Sequence, residues 1–269
     1  INKGSFLWLP FQSQSVGLVL GVLLPVLIAG ALGMLVFRKR ISGVFVSIIT
    51  LALVLLVRLV VVDAQPVTNG FNGLTDLGWL MVGGIEFDPY SRATYYLCAA
   101  CLSLTLIGAR LVVETRAGMI LQAIRDDQVR ARYLGFDVSL YQVFFFVISA
   151  GIAGVAGMLY VVVAEFASPT FMDLSFSVTM VVWAAVGGRS SLLGACIGAI
   201  LINMIEAEVS ETEALVEAWK AIIGLIFVLV VLFMPRGLGG VAHDVLRTFT
   251  RRVKPAVAPS ALQQQSEAL

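Results

Sequence analysis

The chain contains a series of long apolar runs separated by polar loops, and this pattern leaves few folds open to it. The first run, Ser15 to Phe37, carries no charged residue, and a helix needs only about 20 apolar residues to cross a hydrocarbon core of about 30 Å. Runs of this length and composition predict an all-α integral membrane protein, a polytopic helix bundle.

The composition agrees with this class. The 269 residues are 59% hydrophobic and 13% charged, whereas soluble domains are about 45–50% apolar and about 25% charged. Lys and Arg number 18 against 17 Asp and Glu, a balance that indicates no nucleic-acid partner. The sequence begins with Ile1 and carries no signal peptide at its start, so we expect further sequence upstream.

Seven membrane crossings are expected in this fragment. The two short runs near residue 190 rise only about 20 Å each, so each either extends through its flanks or stops within the bilayer. Arg58 interrupts the second run near one end, where its side chain is expected to reach the interface. The seven runs are Ser15–Phe37, Ile41–Val62, Arg92–Val113, Tyr141–Ala164, Leu174–Val186, Leu192–Ile205 and Leu215–Met234.

The segments between these runs alternate in the sign of their charge. The basic segments are 38–40, 114–140, Arg189 and 236–254, and the acidic ones are 63–91, 165–173 and 206–217. The positive-inside rule places the basic segments in the cytoplasm. We therefore expect a transmembrane domain over 1–240 with its external loop at 63–91, followed by a cytoplasmic tail over 241–269 that is partly disordered.

The basic segment 114–140 contains a predicted amphipathic helix that begins at Arg116. Its apolar residues recur at helical spacing, and Gly135 is placed to end it. Such a helix rests on the bilayer, fixes the topology through its arginines, or is held by another protein. The apolar positions are Ile120, Ala123, Ile124, Ala131 and Leu134, and the residues mostly on the other side are Gln122, Arg125, Asp126 and Arg132.

Small residues recur at spacings that place them on one side of a helix. Such faces allow helix backbones to approach each other closely in lipid, so they predict a tightly packed bundle. The residues concerned are Gly151, Gly154 and Gly157, then Gly194 with Gly198, and Gly17 with Gly21.

The sequence lacks the motifs of the common enzyme classes. It contains no G-x-x-x-x-G-K-[ST], no G-x-S-x-G and no H-E-x-x-H, so neither a phosphate loop nor a hydrolase or zinc-protease site is expected. Cys98, Cys101, Cys196 and His243 form no ligand pattern, and we expect no catalytic residue, no cofactor and no metal.

The apolar runs also carry few ionisable residues. Ion-coupled transporters use such residues near the bilayer centre, so that class stays only as an alternative. A neutral or self-compensated solute, moved by energy from another chain, fits the sequence better. The candidate residues of its path are Thr50, Asn72 and Asn203.

Four motifs, in order, resemble those of the branched-chain amino acid and urea permeases of ABC importers, over roughly residues 35 to 240. They are FRKRISGVFVSIITLAL, the run from TRAGMILQAIRDD to GIAGVAGMLY, VGGRSSLLGACIGA and FMPRGLGG. Two positions depart from the family pattern: Ser190 replaces a usual Gly, and Val46 stands where an aromatic or small residue is commoner. The family's more N-terminal part is absent from this sequence.

The resemblance implies that 1–240 is a permease domain of a bacterial inner membrane and that 114–140 contains the helix that couples it to an ATPase. It also implies the partners: a second permease subunit in a heterodimer, two cytoplasmic ABC ATPase subunits and a periplasmic substrate-binding protein. The coupling residues that it implies are Arg116, Gly118, Leu121, Ile124, Arg125, Asp126, Leu134 and Gly135.

The substrate is indicated by one external segment. TNGFNGLTDL, from Thr68 to Leu77, is more similar to the urea-type permeases than to the amino acid ones. We therefore expect urea or a short amide as the substrate, with branched-chain amino acids as the close alternative.

Overall fold

The computed structural model describes residues 13–39, 41, 43–74, 79–82, 85–188, 191–210, 224–225 and 228. These residues divide between Ser177 and Val178 into two compact units, unit 1 and unit 2. The helices are α1 Gln14–Arg38, α2 Val44–Asp63, α3 Gln65–Thr68, α4 Arg92–Glu114, α5 Arg116–Asp126, α6 Gln128–Tyr133, α7 Val138–Ala164, α8 Leu174–Gly187 and α9 Leu192–Ser210, and the strands are β1 Leu80–Val82 and β2 Ile85–Phe87.

Four of the described helices, α1, α2, α4 and α7, are long and apolar enough to cross a membrane. The helical membrane class is therefore confirmed. α8 has 14 residues and is shorter than a full span. The predicted span Leu215–Met234 lies outside the described residues, apart from Gly224, Leu225 and Val228, and the number of crossings stays a prediction.

The packed centre of unit 1 is the pair α1 and α7. A Cβ atom on Gly154 of α7 would lie 3.0 Å from the carbonyl oxygen of Gly21 on α1, so the two backbones approach as closely as small residues allow. At the other end of the pair, the Ser139 hydroxyl donates a hydrogen bond to the Phe37 carbonyl at 3.0 Å. In contrast, no residue of α2 is buried among the described residues, and Thr94 is the one buried residue of α4.

One end of unit 1, which we call the acidic end, brings together the start of α1, the β1–β2 hairpin and the end of α7. Trp79 donates its Nε1–H to Glu165 at 3.3 Å, and Gln14 donates to the Trp79 carbonyl at 3.1 Å. The segment 63–91, predicted to be an external loop, holds α3, a 3₁₀ turn over Gly70–Asn72 and the hairpin among its described residues. Gln14 of α1 and Glu165, the residue after α7, hold it through hydrogen bonds to the backbone and the indole of Trp79.

The opposite end of unit 1, which we call the basic end, contains the end of α1, the start of α2, the end of α4, and α5 and α6. The chain turns from α1 to α2 through a hydrogen bond from Ile41 N–H to the Val36 carbonyl at 3.2 Å. Arg38, Lys39 and the arginines of α5 and α6 all lie here. Positive and negative loops thus occupy opposite ends of the same helices.

In unit 2 the end of α8 packs directly on α9. A Cβ atom on Gly187 would contact the carbonyl oxygen of Gly194, and one on Gly198 would lie 2.7 Å from the carbonyl oxygen of Trp183. α9 continues to Ser210, so Glu206 and Glu208, expected in an acidic loop, are helical. Glutamate is a good helix former, so α9 continues beyond its apolar run. The end predicted from that run, Ile205, was therefore too early.

Candidate functional site

The loop at the basic end begins with a sharp turn from α4 into α5. The Thr115 hydroxyl caps α5 by accepting the Gly118 N–H at 3.2 Å, the usual role of a threonine at this position. A Cβ atom on Gly118 would contact the carbonyl oxygens of Val112 and Val113. Gly118 therefore permits this turn, and any larger residue would have to displace α4 backbone.

The predicted single helix from Arg116 to Leu134 is wrong, because the helix breaks at Asp127. This residue has extended backbone angles, φ −155° and ψ 102°, and separates α5 from α6. Its carboxylate accepts the N–H groups of Val129 at 2.9 Å and Arg130 at 3.0 Å. Aspartate competes with the helix for backbone donors, and here it ends α5 and caps the start of a second helix.

These hydrogen bonds also set the protonation of the carboxyl. The pKa of Asp127 lies below its ordinary value of 3.8, chiefly because the carboxylate accepts the Arg130 N–H, with the Val129 N–H and the Arg130 charge acting in the same direction and burial acting against them. Arg130 Nε lies 3.7 Å from Asp127 Oδ2. The cap is therefore charged at neutral pH.

α6 ends as predicted at Gly135. Its φ is +89°, a conformation that glycine adopts without strain. The Gly135 N–H donates to the Arg132 carbonyl at 2.9 Å and the Phe136 N–H to the Ala131 carbonyl at 3.3 Å, which is the Schellman arrangement of a helix end.

A small buried cluster holds the loop against the start of α7. Ile124, Ala131 and Val138 are buried together, with Ile120 and Tyr141 packed against them. One buried residue thus comes from each of α5, α6 and α7. The loop is therefore a packed element held against the start of α7.

The outer side of α6 exposes apolar side chains. Tyr133 is 88% exposed and Leu134 69% exposed, and Val129 lies four residues before Tyr133 on the same face and is also exposed. We call these three residues the α6 surface. An exposed apolar patch of this kind is typical of a contact with another protein or with a membrane surface.

The structure divides the eight predicted coupling residues into two groups. Arg116, Arg125, Asp126, Leu134 and Gly135 are exposed, whereas Gly118 and Ile124 are buried and Leu121 is half-buried. The second group shapes the loop and presents little surface to a partner. Sequence reasoning missed Asp127, Val129 and Tyr133. The signal for Asp127 was that it follows another aspartate within the predicted helix, because aspartate favours a helix start over a helix interior. The signal for Val129 and Tyr133 was their i, i+4 spacing, which places them on one face of a helix.

The three candidate residues of the substrate path lie on separate elements. Thr50 on α2 donates to the Ser47 carbonyl at 3.0 Å, and Asn203 on α9 donates to the Ala199 carbonyl at 2.7 Å. Asn72 is exposed in the 3₁₀ turn of the acidic end. Their assignment to a path stays a prediction.

Residues 68–74, the described part of the segment that resembles the urea-type permeases, form a turn that pairs with the loop after α7. Asn69 donates its side-chain amide to the Gly73 carbonyl at 2.8 Å, and Leu74 pairs with Ala167 through hydrogen bonds of 2.8 and 2.9 Å. Gly70 and Gly73 have φ of +60° and +68°, which favours glycine. The backbone conformation of the turn therefore explains the asparagine and the two glycines, and a bound substrate is not needed to explain them.

The fold and this loop together define a class of protein: a polytopic helical membrane protein with a packed, partly apolar helical loop at one end of its bundle. The chain belongs to the family described as the permease component of branched-chain amino acid transport systems, whose model matches residues 4–231. No solved structure gives a significant match to the chain.

Curated relatives agree with this family. The chain is 27% identical over 224 residues to the high-affinity branched-chain amino acid transport system permease protein LivM of Escherichia coli, covering 74% of this chain and 51% of the relative. It is 26% identical over 248 residues to the probable branched-chain amino acid transport permease protein LivH of Methanocaldococcus jannaschii, covering 88% and 77%. The ribose import permease protein RbsC of Haemophilus influenzae is 22% identical over 193 residues, covering 68% and 57%. The chain thus spans about half the length of the LivM protein.

Proposed function

We propose that this chain is a permease subunit of an ATP-driven ABC importer of a bacterial inner membrane and that it moves branched-chain amino acids. The family match over residues 4–231 supports the role. Because the sequence has no phosphate loop, ATP hydrolysis takes place on separate ATPase subunits. A second permease subunit, two such ATPases and a periplasmic binding protein complete the importer, and the C-terminal tail is cytoplasmic.

The observation that carries the proposal is the α6 surface. The same loop exposes a tyrosine and a leucine together with Arg125, Asp126 and Arg130, and we expect them to form the apolar centre and the charged rim that are usual in a protein interface. The cluster of Ile124, Ala131 and Val138 connects this surface to α7. Motion of an ATPase bound there passes to the spanning helices as a rigid-body displacement.

The test removes the surface and leaves the cluster in place. Tyr133→Ala with Leu134→Ala is expected to lower uptake of labelled leucine at least tenfold and to abolish stimulation of ATPase activity by substrate. The control is Leu104→Ala on α4, because Leu104 and Leu134 are both 69% exposed. Wild-type uptake in the double variant would contradict the coupling assignment.

A second variant addresses the charged rim. Arg125→Ala with Asp126→Ala is expected to uncouple ATP hydrolysis from uptake while the subunits still co-purify, because both side chains are exposed. Uptake equal to that of the wild type would remove these two residues from the coupling surface.

Urea is the second candidate substrate, on the resemblance of the segment from Thr68 to Leu77. Vesicles that contain the whole importer are expected to accumulate leucine and not urea. The reverse result would assign the importer to urea. An ion-coupled carrier, the alternative from another class, is tested by reconstituting this chain alone with an ion gradient, where no accumulation is expected.

A further inference from the structure

An ion pair at the acidic end joins α2 to the segment that leads into α8. Arg58 Nε lies 2.9 Å from Asp173 Oδ1, so Arg58 is paired within the protein, and its predicted reach to the interface stays a prediction. Arg58 is the one ionisable residue of α2 before its last residue, Asp63. Ionisable residues within spanning helices commonly mark solute paths.

The pairing leaves hydrogen-bonding capacity unused. The Arg58 Nε–H is buried and, in spite of the short distance, is not aimed at the carboxylate as a hydrogen bond requires. Buried donors without an acceptor are rare in proteins. The two side chains are 33% and 40% exposed, so a small solute can reach both charged groups.

An aromatic cluster lies next to Asp173 along the chain. Phe171 and Phe176 lie on either side of it, with ring centroids 5.6 Å apart. Tyr160 lies 5.0 Å from Phe171 and 5.7 Å from Phe176, and Phe166 lies 5.2 Å from Phe171. An apolar wall beside a few polar groups is the usual composition of a small-molecule site.

We propose that Arg58 and Asp173 bind the carboxylate and the ammonium of an apolar α-amino acid, whose side chain lies against the Tyr160, Phe166, Phe171 and Phe176 rings. A guanidinium has five N–H donors, so Arg58 can bind the carboxylate of the solute through its other N–H groups while its Nε stays beside Asp173. The ammonium adds a positive charge beside Asp173. This inference rests on the proposed function and gives the substrate class a site.

The chemistry separates the two candidate substrates. Urea has a carbonyl acceptor and N–H donors but no apolar part, so the aromatic cluster contributes nothing to its binding. A branched-chain amino acid uses both halves of the site. The site therefore favours the amino acid.

The experiment measures binding of labelled L-leucine to membrane vesicles that contain the full-length protein with its partner subunits and no soluble binding protein. Arg58→Gln and Asp173→Asn are each expected to weaken binding about tenfold to a hundredfold, the effect of removing a hydrogen bond to a charged group. Arg92→Gln, an exposed arginine at the same end, is expected to leave binding unchanged. Phe171→Ala is expected to weaken binding of leucine more than binding of alanine.

A charge exchange separates a binding site from an ion pair that only supports the fold. Arg58→Asp with Asp173→Arg is expected to keep the thermal stability of the wild type but not its leucine binding. Full recovery of leucine binding in the exchanged variant, or unchanged binding in both single variants, would overturn the inference and leave the proposed function intact. Binding of urea and not of leucine by the wild type would overturn both.

Discussion

At the scale of single residues, Asp127 determines the shape of the loop at the basic end. Its carboxylate accepts two N–H groups at the start of α6, and its extended backbone turns the chain between the two helices. Asp127→Ala is expected to increase hydrogen exchange at the Val129 and Arg130 amides, because they lose their acceptor. Asp126→Ala, the neighbouring exposed carboxylate, is the matched control and should leave those amides protected; equal exchange in both variants would show that Asp127 is not the cap.

The ionisation of Asp127 provides a second residue-scale prediction. Its pKa is lowered in the folded protein, mainly by the Arg130 N–H, so the cap stabilises α6 fully above the unfolded pKa and loses this effect as the pH falls through the folded pKa. The window therefore lies below pH 4. A carbon-13 NMR titration of the Asp127 carboxyl is expected to give a midpoint below 3.8, the ordinary value of an aspartate, and a midpoint above it would contradict the hydrogen bonds described.

Residues whose role depends on a specific hydrogen bond or ion pair, such as Asp127, are not predicted by hydrophobic spacing. The spacing of Ile120, Ile124, Ala131 and Leu134 fits one continuous helix, because the gap from 124 to 131 is two helical turns. The break depends on a side chain that binds its own neighbouring backbone, a choice that periodicity does not record. Arg58 is similar: its partner Asp173 is distant in sequence, and only the folded chain brings the two together.

At the scale of elements, the lengths of the apolar runs predicted the spanning helices but not the contacts between them. α1, α2, α4 and α7 lie where the apolar runs predict them, within a few residues at each end. The glycine spacing pointed to close packing but did not distinguish the faces: Gly154 lies against the α1 backbone, whereas Gly157 has no neighbour within 4 Å among the described residues. Both positions have the same local sequence character, so only the three-dimensional contact separates them.

This difference gives a matched pair of variants. Gly154→Ala adds a Cβ atom 3.0 Å from the Gly21 carbonyl oxygen, and such overpacking costs about 1–3 kcal/mol. The variant is expected to unfold at a lower temperature than the wild type in detergent. Gly157→Ala should unfold at the same temperature as the wild type. An equal decrease in the unfolding temperature of both variants would indicate that helix propensity or lipid contact, and not the α1–α7 contact, causes the decrease.

At the scale of the whole molecule, the two ends of unit 1 carry opposite kinds of segment. The acidic end holds the hairpin and the Arg58–Asp173 pair, and the basic end holds α5 and α6. One helix, α4, connects the two ends: the hairpin lies before it in the chain, and α5 and α6 lie after it. α4 begins after Tyr90 and ends before Arg116. If α4 crosses the membrane once, the ends lie on opposite sides, and the positive-inside rule then fixes which side is which.

The orientation is tested with one cysteine at each end of α4, after Cys98, Cys101 and Cys196 have been replaced by serine or alanine. Tyr90 is 94% exposed, and Tyr90→Cys is expected to react with a membrane-impermeant maleimide in spheroplasts. Leu134→Cys, on the α6 surface, is expected to react only after the membrane is opened, since the positive-inside rule predicts that this arginine-rich end lies in the cytoplasm. If both react from outside, α4 does not cross the membrane and the α6 surface cannot meet a cytoplasmic ATPase; if the order is reversed, the proposed solute site faces the cytoplasm and cannot receive a solute from the periplasm.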